Sequence, residues 1–159
     1  MSVSIDISVK EQQLTLHSLS RSVSYPISSA LKGVGQQYGS GCTPLGHHII
    51  RARIGAELPL NAVLIGRRYT GEIYTSALAK AQPDRDWILS RILWLSGCEP
   101  GFNRLDVVDT MRRFIYIHGT PDTEPMGIPK SHGCIRMRNK DIVELFDLCP
   151  YGTSVYINK

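Results

Sequence analysis

The N-terminal stretch SVSIDISVKEQQLTLHSLS alternates apolar and polar residues with a period of two. Val3, Ile5, Ile7 and Val9 form one apolar row, and Leu14 and Leu16 resume the pattern beyond Glu11 and Gln12. An extended chain with this alternation can bury one face while the other stays wet, so residues 2–9 and 12–19 are expected as two strands joined by a turn. Val23, Tyr25 and Ile27 suggest a third strand, and Pro26 argues that it lies at an edge, where a missing N–H is tolerated. No strand–helix–strand rhythm follows, which argues against a doubly wound parallel sheet.

Further along, glycines cluster between Ala30 and Gly46 in a long loop ending CTPLG, which leads into a strand, HHIIRARI, from Gly46 to Ile54. A short strand is expected over 62–65. In DWILSRILWLSG, Ile88, Leu89, Ile92 and Leu93 recur at helical spacing; Asp86 would cap this helix and Gly97 would stop it. FIYIH (114–118) reads as a strand, NKDIVELFDLC as a second helix capped at Asn139, and TSVYI as the closing strand. At 159 residues the chain has the length of one domain, 1–159, with 1–29 as its β-rich N-terminal part. The expected class is mainly β with short helices, a mixed β-sandwich or a partly open barrel.

The net charge is +4, and the arginines come in pairs (Arg51/Arg53, Arg67-Arg68, Arg112-Arg113, Arg136/Arg138) rather than in a run. A nucleic-acid surface needs a denser basic stripe interleaved with aromatics, so that class is set aside. No apolar run is long enough for a helix to cross a membrane. The first basic residue is Lys10 and no apolar core follows it, so a secretory signal is not legible. If Met1 is the native start, the expected location is the cytoplasm. Four cysteines (Cys42, Cys98, Cys134, Cys149) stand far apart with no CxxC pair; free thiols are the default, and Cys98 and Cys149 read as core or surface thiols.

Chemistry concentrates in IYIHGTPDTEPMGIPKSHGCIR, residues 115–136. Cys134 has the setting of a nucleophile: His118 ends a strand and can be aimed at the sulfur as its base. A carbonyl at Gly119 can fix the imidazole tautomer. Gly133 allows a tight turn that presents the N–H groups of Gly133 and Cys134 to an oxyanion. Arg136 can fork onto a substrate carboxylate, and Tyr116, on the same strand as His118, is grouped with it as a substrate contact. Two other readings stay open at this level. His118, His132 and Cys134 are acceptable zinc ligands, and histidines in glycine turns can be purely structural. His47 and His48 are adjacent in a strand, face opposite ways, and cannot chelate together.

The segment His118-Gly119 … Ser131-His132-Gly133-Cys134-Ile135-Arg136 resembles the signature of the L,D-transpeptidase catalytic domain, the YkuD-like family. Thr43-Pro44-Leu45-Gly46 resembles the entry turn of that family, so the resemblance spans roughly residues 40–157. It implies a mixed β-sandwich and a cysteine acyltransferase acting on peptidoglycan stem peptides. Cys134 would attack the bond between the L-centre of a diamino acid and a terminal D-alanine. His118 would be the base, held by the Gly119 carbonyl. His132, Gly133 and Cys134 would line the oxyanion site, with Ser131 supporting His132 and Arg136 holding a carboxylate. No metal or organic cofactor is implied, and carbapenem-like β-lactams would be expected to acylate Cys134. With no export signal legible, the expected reaction is hydrolysis: an L,D-carboxypeptidase trimming muropeptide tetrapeptides. Wall cross-linking and a non-catalytic stem-peptide binding module are the alternatives.

Overall fold

The computed structural model describes residues 2–159. The strands are β1 (Ser4–Ser8), β2 (Gln13–His17), β3 (Ser22–Pro26), β4 (Gly46–Ile54), β5 (Ala62–Ile65), β6 (Arg68–Ile73), β7 (Ile88–Gly97), β8 (Tyr116–Thr120), β9 (Ile135–Arg138) and β10 (Ser154–Asn158). Among the described residues two α-helices join them, α1 (Ser76–Ala81) and α2 (Asn139–Leu148), with one 3-10 turn at Asp106–Val108. The N-terminal alternation folds as expected. Ile5, Ile7, Leu14 and Leu16 are buried while the residues between them are not, and β3, which ends at Pro26, is an edge strand.

All ten strands belong to one curled mixed sheet, in the order β3-β2-β1-β10-β4-β7-β5-β6, with β8 and β9 branching from β7. Pairing is antiparallel except between β1 and β10 and between β8 and β9. The mainly β class matches the sequence expectation. One core unites Ile5, Ile7, Leu14 and Leu16 with Leu93 and Leu95 of β7, Ile117 of β8, Ile135 of β9 and Ile142, Leu145 and Phe146 of α2.

The helix expected from Asp86 is the strand β7, the centre of the fold. It pairs with β4, β5 and β8, so residues 89–93 are buried in succession. Burial on both faces removes the need for alternation, and a solid apolar run mimics helical spacing. Gly97 does not stop a helix. A Cβ there would clash with the Asn103 carbonyl oxygen, so glycine admits the returning loop. The true first helix, α1, is capped by Thr75, whose Oγ1 accepts the Leu78 N–H at 3.0 Å. Helix α2 lies where expected, with Ile142, Leu145 and Phe146 buried. Its N-cap is Arg138, without a side-chain capping bond. Asn139 instead turns inward, donating to Asn61 Oδ1 at 2.7 Å and accepting from Ser90 Oγ at 2.8 Å.

Candidate active site

The β8–β9 pair builds the site. Parallel pairing sets Ile117 opposite Ile135 and His118 opposite Arg136, which brings Cys134, just before β9, beside Tyr116. The Cys134 sulfur accepts the Tyr116 N–H at 3.3 Å and its S–H donates to the Phe114 carbonyl at 3.4 Å. Phe114 holds a positive φ of 57°, a left-handed conformation costing about 1 kcal/mol or more in a residue with a side chain. His118 is buried, and its Nδ1–H donates to the Gly119 carbonyl at 2.7 Å. This bond fixes the tautomer, leaving Nε2 with its lone pair free.

Gly119 is held in turn. It pairs with Leu89, and a Cβ on it would meet the Leu89 carbonyl oxygen at 2.5 Å and Asn139 Oδ1 at 2.6 Å. The Asn61–Ser90–Asn139 network therefore stands directly behind the carbonyl that orients His118.

Around the cysteine, the turn differs in detail from the sequence reading. Gly133 has a φ of 134°, and a Cβ would press on Ile115 at 3.1 Å and on the Cys42 carbonyl at 3.3 Å. Its N–H is not free for an oxyanion, because it donates to Ser131 Oγ at 3.1 Å. Ser131 Oγ also donates to the Cys134 carbonyl at 2.6 Å, so Ser131 braces Gly133 and Cys134 rather than His132. Thr43, from the TPLG turn, donates to the Gly133 carbonyl at 2.9 Å. Among the described residues, the Cys134 N–H has no such partner.

His132 is exposed, with its Nδ1 3.8 Å from Asp86. Arg136 is buried and committed: it donates to Asp86 at 3.1 Å and lies 3.5 Å from Glu124. The carboxylate fork expected at Arg136 thus faces two of the protein's own carboxylates. Tyr116 is buried, and its hydroxyl accepts from Arg67 at 3.2 Å. Arg67 and Asp86 were not among the sequence candidates. Reading 86–97 as a helix assigned Asp86 to a cap, and nothing local links Arg67 to Tyr116, 49 positions away.

Cys134, His118, Tyr116, Arg67, Asp86 and Phe114 line a cavity of about 390 Å³. A second of about 300 Å³, lined by Tyr38, Gly41 and Arg113, shares Phe114 and His132 with it. Loss of hydration pushes the Cys134 thiol up to about 11, with Asp86 adding to the shift and Tyr116 N–H, Arg136 and Arg113 opposing it. Burial lowers the His118 imidazole below its ordinary value, against the Gly119 hydrogen bond. Both shifts favour a neutral thiol and a neutral imidazole in the resting pair. Among the described residues no hydrogen bond joins them, and no three His, Cys, Asp or Glu side chains are grouped to hold a metal. His48 is buried between the Gly46 carbonyl and Thr110 Oγ1, while the adjacent His47 stacks outside on Tyr156. Cys149 is buried and Cys98 exposed.

A curled β-sheet presenting a cysteine at a strand start, and a tautomer-fixed histidine on the neighbouring strand, defines a thiol acyl-transfer class of site. The L,D-transpeptidase catalytic domain (YkuD) model matches residues 2–157, and the chain belongs to that enzyme family. The match takes in the N-terminal strands as well as the 40–157 region in which the motifs are legible. The chain is 51% identical over 43 residues to a putative L,D-transpeptidase YkuD of Bacillus subtilis, covering 27% of this chain and 26% of that protein. It shares its fold with an L,D-transpeptidase from Mycobacterium smegmatis, at a TM-score of 0.58 and 17% identity, covering 99% of this chain and 59% of that one. Another match is L,D-transpeptidase 3 from Mycobacterium tuberculosis in complex with a faropenem-derived adduct, at a TM-score of 0.59 and 15% identity, covering 99% of this chain and 60% of that one. The matched stretch thus spans about a quarter of the curated relative, and the chain about three-fifths of each solved structure.

Proposed function

We propose that the protein releases D-alanine from peptidoglycan tetrapeptide stems through a Cys134 acyl-enzyme. The observation that carries this reading is the bond from His118 Nδ1 to the Gly119 carbonyl, in a cavity that also holds Cys134. His118 Nε2 takes the thiol proton as the sulfur attacks the carbonyl carbon at the L-centre of the diamino acid. The oxyanion is met by the Cys134 N–H, a donor worth roughly 3–4 kcal/mol when well placed. Collapse of the tetrahedral intermediate breaks the C–N bond. The D-alanine amine leaves with the proton from His118, and a thioester remains on Cys134.

The acceptor decides the product. Attack by water, its proton passing to His118, restores the thiol and gives a tripeptide; this is the L,D-carboxypeptidase reading. A cytoplasmic location belongs with it, since released muropeptides would be the substrate there, and cell fractionation tests that point. One observation favours an amine acceptor and hence cross-linking. The second cavity meets the first at Phe114 and His132, so a second peptide has a groove of its own from which to reach the thioester.

The test is mass spectrometry of purified protein with a tetrapeptide, with and without an amine acceptor. Release of D-alanine, lost in Cys134→Ala, is the expected result. Tripeptide alone identifies hydrolysis, and a mass gain by the acceptor identifies transfer. No D-alanine under either condition would sink the proposal. A β-lactam adduct on Cys134, in keeping with the faropenem adduct of the M. tuberculosis protein, is expected here too; its absence would count against a reactive thiol.

A further inference from the structure

The charge left free in the first cavity is not where the sequence placed it. Arg136 has two carboxylates for partners. Arg67 has none among the described residues, yet its side chain is held at the cavity wall. Its guanidinium lies 4.6 Å from the Trp94 ring centroid and 5.3 Å from that of Phe114, and it donates to the Tyr116 hydroxyl at 3.2 Å. The rings are themselves braced: Trp94 donates to the Met111 carbonyl at 3.1 Å and meets Tyr116 edge-on at 5.8 Å. Arg67 sits in the two-residue turn between β5 and β6, where Gly66 supplies the positive φ of 58°.

We propose that Arg67, stacked on Trp94 and Phe114, is the specificity-determining residue that binds a carboxylate of the peptide donor. Stacking uses the faces of the guanidinium, and the phenol takes one of its five N–H groups. The remaining N–H donors can form a bidentate pair with a carboxylate. Tyr116 spans the distance that matters, since its N–H meets the Cys134 sulfur and its hydroxyl meets Arg67. Cation and nucleophile are therefore about one tyrosine side chain apart, which suits a carboxylate borne by a residue next to the scissile carbonyl. Lysine would carry the charge without the planar fork or the stack.

This inference rests on the acyl-donor reading, so its test is made to report without turnover. Tetrapeptide binding is measured by calorimetry on Cys134→Ala protein, with Arg67 present or changed to Met or Lys. Three ligands are compared: the free acid, the terminal carboxamide, and the peptide amidated on the diamino acid's second carboxylate. With Arg67 in place, one of the two amides is expected to bind about 10–100-fold more weakly than the acid, as for loss of a charged hydrogen bond. Whichever amide loses affinity identifies the carboxylate. In Arg67→Met the acid and that amide should bind alike, and Arg67→Lys should restore only part of the difference. Equal binding of all three ligands to protein retaining Arg67, absence of binding, or an acid-to-amide ratio unchanged in Arg67→Met would each overturn the proposal. In any of those cases, D-alanine release by protein that keeps Cys134 leaves the acyl-transfer reading standing.

Discussion

The protonation state of the resting pair gives a sharp prediction, with pH as the perturbation. Desolvation raises the Cys134 thiol from 9.0 to about 11, which leaves roughly 1 in 10⁴ molecules as thiolate at pH 7, about a hundredfold fewer than for a thiol at 9. A small alkylating agent such as iodoacetamide needs the thiolate but no base at the site. Its rate at Cys134 is expected to climb about tenfold per pH unit from 6 to 10, with no plateau near neutrality. Peptide acylation should behave differently, because in the proposed mechanism neutral His118 takes the proton during attack. Burial lowers the imidazole's value, so the base form is present above the ordinary histidine range and the acylation rate stays flat from about pH 7 to 9. His118→Ala should turn the flat profile into the sloping one. Alkylation is followed by peptide mapping, because exposed Cys98 also reacts. An alkylation rate already level below pH 7 would mean a standing thiolate–imidazolium pair and would refute the reasoning.

Three further outcomes follow from the geometry. Ser131→Ala strips the Gly133 N–H and the Cys134 carbonyl of their shared buried partner, a cost of about 1–3 kcal/mol for each group left unpaired. Stopped-flow acylation should slow at least tenfold while the circular dichroism spectrum is kept. Gly119→Ala forces a Cβ onto the Leu89 carbonyl oxygen and Asn139, so urea unfolding should show a loss near the upper end of the roughly 1–3 kcal/mol typical of overpacking. His48, buried and lowered to about 4 by desolvation, is neutral when folded and takes up a proton more readily when unfolded. Its stabilising contribution is whole above pH 6.5 and is lost as pH falls from 6.5 towards 4, about 3 kcal/mol in all. Urea midpoints for wild type and His48→Asn should converge as pH falls through this window, and a constant gap would refute it.

The chemical stretch was legible because its parts lie close along the chain. Cys134, Gly133 and Ser131 form one turn, and His118 with Gly119 form one strand end, so residue type and spacing point to their grouping. The alternating N-terminal strands were legible for a similar reason. One face is buried and the other wet, and the sequence carries that contrast directly. Strand β7 was misread because its burial comes from three neighbouring strands contributed by distant segments. An apolar run buried on both faces has no period of its own.

The same distance separates what the motif suggested from what its charges do. Arg136 has the right position for a substrate clamp, and the fold pairs it with Asp86, 50 residues earlier. Arg67 looks like one more surface arginine until the fold sets it on Trp94 and Phe114 against the Tyr116 hydroxyl. By itself, the sequence determined the mainly β character, the nucleophile and base candidates, and the resemblance that names the chemistry. Only the tertiary structure decided which N–H remains for an oxyanion and which arginine is left free. Hydrogen bonds are short-ranged, and a residue's partners are whatever the fold brings within about 3 Å of it.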